Sequence, residues 1–149
     1  MSAEIPDTIS TAFVRVSVGP GGRTEVTADT VETYEESNRT VLENVEILEY
    51  NPEAVLTTRG QADRLEMRGE KFGEARGDIV VEDISGESEL QAQALSWDGS
   101  DRMLRGTGEV SVKSGDGLTV SGEGFQADMA RELYSFENGA QGTLEIEDE

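Results

Sequence analysis

Apolar and polar residues alternate with a period of two along much of the chain. The segment Val14-Arg15-Val16-Ser17-Val18 is a clear example, and Leu118-Thr119-Val120 is another. A β-strand places successive side chains on opposite faces, so this alternation is typical of strands with one apolar face. Clusters of glycine with proline, asparagine or aspartate separate the alternating segments and are typical of turns. The pattern therefore predicts an all-β chain of strands joined by short turns.

The alternating segments recur along the sequence. Ala28-Asp29, Ala62-Asp63 and Ala127-Asp128 repeat one dipeptide, and each is followed by a second apolar segment. The spacing corresponds to units of roughly 33 residues, each with the plan strand, turn, strand. Four such units are predicted, over residues 24–51, 54–85, 88–115 and 117–147.

One segment has a second interpretation, as a helix. Its apolar residues could share one helical face, and the segment is rich in glutamate. These residues are Val31, Tyr34, Val41, Val45 and Leu48. The equivalent stretches of the other units contain glycine and β-branched residues, which favour strands. We therefore predict strands here too.

The inward positions of the predicted strands form one apolar surface. They are Val26, Ala28, Val45, Ile47, Leu56, Leu90, Ala92, Ala94, Val110, Val112, Leu118, Val120, Phe125, Ala127, Leu144 and Ile146. Strand pairs with one apolar face must close on that face, which predicts a sandwich, a jelly roll or a V-shaped roll. Several of these residues are alanines. Small side chains could leave a groove, or they could simply allow close packing of the sheet, and the pattern leaves both alternatives open.

Composition narrows the possible functions. The chain has 149 residues, the size of one domain. Its 32 acidic and 12 basic residues give a net charge of −20, which argues against nucleic-acid binding. It contains no histidine and no cysteine, which excludes imidazole bases, thiol nucleophiles, metal sites built on these residues and disulfides.

The chain as given has no membrane-spanning or signal-peptide pattern. It lacks an apolar run of about 18 residues, and its first residues have no basic stretch followed by an apolar one. We predict that residues 1–11 form a flexible leader and that residues 12–149 form a single domain.

Three short motifs could carry chemistry, but each has a simpler interpretation. Gly122-Glu123-Gly124 lacks the remainder of a phosphate-binding loop and indicates a β-bulge or a close approach of two backbones. Asp98-Gly99-Ser100-Asp101 lacks the full ligand series of a calcium loop and indicates a turn. Acidic pairs such as Glu35-Glu36 and Glu82-Asp83 could serve a hydrolase, but among so many acidic residues they favour a solvated face. No cofactor, metal or catalytic residue is predicted.

Residues 88–142 carry an ordered series of short motifs. They comprise Leu90, Ala92, Leu95-Ser96-Trp97-Asp98, Leu104, Val110-Ser111-Val112, Asp116-Gly117, Gly122-Glu123-Gly124-Phe125, Asp128, Tyr134-Ser135-Phe136 and Gly142. In order and spacing they resemble the carboxy-terminal half of the periplasmic domain of the LptC family, the bridge component of lipopolysaccharide export. The first half resembles the family's opening unit more loosely, through residues 25–28, Tyr34 and residues 42–45. Residues 68–76 match no family position.

The resemblance implies a fold and a function. The fold would be an open β-jellyroll that shields the acyl chains of lipopolysaccharide in an apolar groove. Lipid would come from an inner-membrane ABC transporter similar to LptBFG and pass to an LptA-like bridge protein. The domain would be periplasmic, anchored in the inner membrane by an N-terminal helix upstream of this sequence. The alternative is a non-enzymatic structural or adhesive protein, an acidic β-repeat with a filled core.

The resemblance also implies roles for individual residues. The groove lining would be Val26, Ala28, Val45, Ile47, Leu56, Leu90, Ala92, Trp97, Val110, Val112, Leu118, Val120 and Phe125. Trp97 and Phe125 would be its largest members, although either could be a core residue instead. Val14, Val16 and Val18 would lie on the edge strand that faces the transporter, and Leu144 and Ile146 on the edge strand that faces LptA.

Overall fold

The computed structural model describes residues 5–69, 72–100, 103–128 and 133–144. These residues form ten β-strands and no helix. The strands are β1 (Thr8–Gly19), β2 (Gly22–Tyr34), β3 (Arg39–Tyr50), β4 (Leu56–Arg68), β5 (Phe72–Asp83), β6 (Ser88–Asp98), β7 (Met103–Gly106), β8 (Val110–Lys113), β9 (Leu118–Asp128) and β10 (Leu133–Leu144). The prediction of an all-β chain is confirmed. The helical interpretation of the segment from Val31 to Leu48 is wrong, because it forms parts of β2 and β3.

All ten strands belong to one antiparallel sheet. Each strand pairs with its neighbours in sequence, except that β7 and β8 together fill the place between β6 and β9. The four predicted units correspond to the successive pairs β2–β3, β4–β5, β6–β8 and β9–β10. Within the described residues, β1 and β10 each have one strand neighbour, so they are the two edges of an open sheet.

The first strand begins earlier than expected. Residues 8–11 were predicted to belong to a flexible leader, but β1 starts at Thr8 and pairs with β2 from there onward. Just before it, the Asp7 amide donates to the Thr33 carbonyl at 2.7 Å, and the Asp7 carboxylate accepts from the Glu35 amide. Threonine and isoleucine favour strands, and pairing satisfies their backbone groups, so the predicted boundary at residue 12 falls inside β1.

A line of residues with positive φ crosses the sheet from strand to strand, and we call this line the bend. The residues with positive φ lie in alternate strands of the sheet. They are Ala12 in β1, Asn44 in β3, Gly77 and Asp78 in β5, Gly108 between β7 and β8, and Gly124 in β9. At Gly77 and Asp78 the pairing of β5 with β4 and β6 shifts register, as it does at a β-bulge. At Ala12 and Asn44 the pairing keeps its register, yet the alternation of buried side chains still changes by one residue across the bend. Gly124 has a φ of 69°, but its pairing with β10 keeps its register, so no bulge is seen there. An added Cβ would lie 2.7 Å from Glu137 Cβ, which fits the alternative prediction of a close approach.

Because the alternation shifts at the bend, the buried side chains on both sides of it belong to the same core. In β3, Val45 and Leu42 both lie in the core although an unbroken alternation would separate them. In β6 the change is the same: Ala92 and Leu95 are buried, whereas Ala94, predicted to point inward, is only half-buried and lies outside the core cluster. The core therefore fills the angle between the two sides of the bend.

No helix of the described residues is long and apolar enough to cross a membrane.

Candidate functional site

Two rows of buried or partly buried side chains line the bend, one on each side. One row runs across the strands through Ala28, Val45, Ala62, Ile79, Ala92 and Val110. The other runs through Val31, Leu42, Leu65, Ala75, Leu95 and Phe125. In the second row, Val31, Leu42, Leu65, Ala75 and Leu95 are paired one with the next across five strands, and in the first row Val45 pairs with Ala62 and Ile79 with Ala92. Cross-strand neighbours therefore form an apolar wall on each side of the bend.

The interior is tightly packed near β6 to β10. Phe125 is 2% exposed, and its ring centroid lies 5.4 Å from that of Phe136 and 6.0 Å from that of Tyr134. Gly106 lies so close that an added Cβ would be 2.6 Å from Val110 Cγ2. Gly73 packs directly against the Trp97 ring, since an added Cβ would overlap that ring. We call this region the packed end.

The interior is open near β1 to β4. A cavity of about 380 Å³ lies between the two sides of the bend. Its lining is Phe13, Arg15, Val26, Val31, Thr40, Leu42, Ile47, Leu65, Met67 and Gly69. This volume lies within the range of roughly 300–1,000 Å³ that small-molecule pockets occupy. We call this region the open end.

The predicted groove residues divide between these two regions. Val26 and Ile47 line the cavity at the open end. Six others are buried in the core cluster: Ala28, Val45, Ala92, Val110, Val112 and Phe125. Leu90 and Trp97 are half-buried and pack against that cluster. Leu56, Leu118 and Val120 are half-buried and lie outside it. The predicted lining therefore does not form one surface around one cavity.

Eight of the ten cavity residues escaped the sequence reasoning. Val31, Leu42, Leu65 and Met67 lie beyond the bend, where the alternation has shifted by one residue. Asn44 and Asp78 tolerate positive φ better than most residues, but both types also occur in ordinary strands, so they were too weak a signal to locate the shift.

The edge strand β1 has an unexpected orientation. Val14, Val16 and Val18 are 66%, 51% and 78% exposed, whereas Phe13 and Arg15 line the cavity. The valines do lie on an edge strand, as predicted, but they point away from the interior. At the opposite edge, Leu144 pairs with Leu118 at the end of β10, and Ile146 lies outside the described residues.

A second, polar cavity of about 450 Å³ lies where β5, β6, β8 and β9 end. Its lining includes Glu82, Asp83, Glu87 and Glu89, with Lys113 beside them. Within the part of the chain that the structure describes, no three acidic side chains are grouped to hold a metal ion. The aspartate motif before Asp101 begins as a turn, in which the Asp98 carboxylate accepts from the Ser100 amide at 2.9 Å.

Comparisons with known proteins agree with this architecture. A family model described as lipopolysaccharide-assembly, LptC-related, matches residues 2–145. Among curated proteins, none matches the sequence. A similar solved structure is the crystal structure of LptH from Pseudomonas aeruginosa, described as the LptA homologous periplasmic component of the conserved lipopolysaccharide transport device. The likeness has a TM-score of 0.66 at 11% identity and covers 87% of this chain and 100% of that one. It indicates the same β-jellyroll fold.

Proposed function

The chain belongs to the LptC-related family of lipopolysaccharide-assembly proteins, and from this premise we propose that its open end holds the acyl chains of lipopolysaccharide during transport. In this proposal, lipid arrives from an inner-membrane ABC transporter similar to LptBFG and leaves toward an LptA-like bridge protein. The domain works in the periplasm, held at the inner membrane by an N-terminal helix upstream of this sequence.

The observation that carries this proposal is the apolar cavity between the two sides of the bend. Seven of its ten lining residues are hydrophobic, and together they come from both walls of the interior. Burial of apolar surface contributes about 25 cal/mol per Å², so an acyl chain gains most where it contacts both walls at once. The cavity also lies beside the edge strand β1, which leaves a path for a chain to enter from the side.

The two sheet edges support the proposed position between a transporter and a bridge. Unpaired strand edges expose backbone groups that can pair with a strand of another protein. We propose that β1, with Val14, Val16 and Val18, joins the transporter, and that β10, with Leu144 and Ile146, joins the LptA-like protein. Pairing at both edges would extend the apolar interior from one protein to the next.

The packed end favours a second candidate function. Phe125, Phe136 and Val110 fill the interior there, as in a structural β-repeat protein with a filled core. Such a protein would use its acidic outer surface for solubility or adhesion and would need no ligand. The two functions differ in whether the open end takes up lipid.

Photo-crosslinking of lipopolysaccharide tests the proposal directly. We expect a photoreactive residue at Val26 or Ile47 to capture lipopolysaccharide in cells that export it. Glu46 is the matched control, since it neighbours Ile47 in β3 and points to the opposite face of the sheet. Equal capture from Ile47 and Glu46, or capture from Glu46 alone, would overturn the proposal, and capture from neither position would favour the structural alternative.

A further inference from the structure

The two faces of β1 are the reverse of what its sequence leads one to expect. Alternation normally places valines inward and arginine in solvent. Here Val14 and Val16 face outward at 66% and 51% exposure, while Arg15 between them lines the apolar cavity. Natural sequences depart from such local rules mainly at functional sites, so this inversion requires a reason.

Arg15 is the one charged residue among the ten that line the cavity. It is paired across the strands with Val26, and the other lining residues are apolar apart from Thr40 and Gly69. Its guanidinium remains partly in solvent, since the residue is exposed. Arg15 therefore lies where the apolar cavity meets water.

Four other arginines of the described residues form ion pairs within the chain, and Arg15 does not. Arginine and glutamate pair at Arg23 and Glu25, Arg39 and Glu66, Arg68 and Glu66, and Arg76 and Glu74. Arg15 has no carboxylate partner among the described residues, although the chain carries 32 acidic residues. An anion from outside the chain can therefore bind it without displacing an internal partner.

We propose that Arg15 binds a phosphate of the headgroup of the amphiphile whose acyl chains occupy the cavity, and so selects phosphorylated lipids. This inference rests on the proposed function of the same site. The planar guanidinium can form two parallel hydrogen bonds to one phosphate, a geometry that a lysine cannot reproduce. It also explains how a chain with a net charge of −20 accepts an anionic lipid: the cation lies at the cavity, and the acidic side chains lie elsewhere.

An inward charge on an edge strand has one other known role. It discourages the edge from pairing with other chains, and any charge serves that purpose. Under that explanation, Arg15→Glu would behave as the wild type does, and the phosphates of the lipid would not affect binding. The two explanations therefore predict different responses to the same variants.

The test compares bisphosphorylated lipid A with the same lipid after enzymatic dephosphorylation. Each competes for the cavity with a neutral fluorescent probe, N-phenyl-naphthylamine. We expect the wild type to prefer the bisphosphorylated form by about fivefold to tenfold at low salt, a contribution expected of a partly exposed charge-assisted contact. Arg15→Gln should abolish this preference, Arg15→Glu should reverse it, and Arg15→Lys should retain part of it. Inorganic phosphate alone should not displace the probe.

Arg59→Gln is the matched control, because Arg59 is exposed on β4 and pairs with Leu48 on the face opposite the cavity. Thermal melts establish that every variant is folded. A wild type that binds both lipids equally, or a preference that survives Arg15→Gln, overturns the inference and leaves the proposed function standing. If neither lipid displaces the probe, the proposed function fails, and the inference fails with it.

Discussion

The open end and the packed end are built from the same repeated unit, yet one encloses a cavity and the other is filled. At the packed end, Phe125 and Phe136 bring large rings onto neighbouring strands, and Trp97 lies over Gly73. At the open end the equivalent neighbours are smaller or more polar. Thr40 and Gly69 line the cavity there, and the interior face of β1 contributes Phe13 and then Arg15.

The comparison teaches that side-chain volume, rather than topology, decides where this sheet is open. The two rows along the bend continue through both ends: Val45 and Leu42 at one end, and Ala92 and Leu95 at the other, are all buried in the core. The ends differ only farther from the bend, where one has aromatic rings and the other has an empty volume. Stability should therefore reside mainly in the packed end and ligand capacity in the open end.

The largest expected difference in stability is between alanine variants of two phenylalanines, one at each end. Phe125→Ala should lower the free energy of unfolding by about 3–5 kcal/mol, because it removes a fully buried ring and leaves a cavity. Phe13→Ala at the half-buried open end should cost about 1 kcal/mol, since its ring already borders empty space. Urea unfolding followed by circular dichroism measures both. Equal losses would mean that stability is spread evenly and that the two ends do not differ as described.

Replacing a glycine by alanine adds a single methyl group and so tests how tightly each region is packed. Gly73→Ala should cost about 1–3 kcal/mol, because the new Cβ overlaps the Trp97 ring and the ring must move. Gly60→Ala is the control: Gly60 pairs with Ile47 and Val81 in the interior, and an added Cβ meets nothing within 4 Å. It should change stability by no more than about 1 kcal/mol, in the stabilising direction.

The fluorescence of Trp97, the one tryptophan, provides a second measurement for the glycine variants. Its emission should shift in Gly73→Ala and remain unchanged in Gly60→Ala. A Gly73→Ala protein that keeps the wild-type emission and stability would contradict the close packing described for the packed end.

The strands and their pairing could be predicted from the sequence because both depend on local patterns. Period-two alternation marked the strands, and the spacing of roughly 33 residues marked the units that pair. Turn residues then limited each strand, as Gly19 and Gly22 do between β1 and β2. The LptC-related resemblance rested on the same short motifs, and the family model confirms it.

The cavity could not be predicted because it depends on the bend. A shift of one residue inside a strand reverses which side chains face the interior, and the residues that cause it include Ala12, Asn44 and Asp78, which also occur in ordinary strands. Alternation likewise identifies two faces of β1 without saying which one is buried. The sequence analysis predicted Val14, Val16 and Val18 only as residues of an edge strand and named no inward residue of β1, whereas the structure places Phe13 and Arg15 at the cavity.

Substitutions at the bend should lower the free energy of unfolding less than those at the packed end. Asn44 has a φ of 50°, and its side-chain amide donates to the Asp29 carboxylate at 2.7 Å. Asn44→Ala should cost about 1 kcal/mol, because alanine tolerates this conformation poorly and cannot make the bond. Asn44→Gly keeps the conformation and should cost less than half as much. Urea unfolding separates them, and an alanine variant as stable as the glycine variant would show that the bend does not need the conformation.

The smallest effect is expected on the outer face of β1. Val16→Lys should change the free energy of unfolding by no more than about 0.5 kcal/mol, since Val16 is 51% exposed and lies opposite Glu25. Its control is Val26→Lys, in the neighbouring strand but on the cavity side, which would place a charge in an apolar lining and should cost about 2 kcal/mol or more. If Val16→Lys proves as destabilising as Val26→Lys, the outward valines belong to the stability of the fold. If it is tolerated, as we expect, these valines are exposed for something other than folding, which is consistent with the proposed strand pairing at this edge.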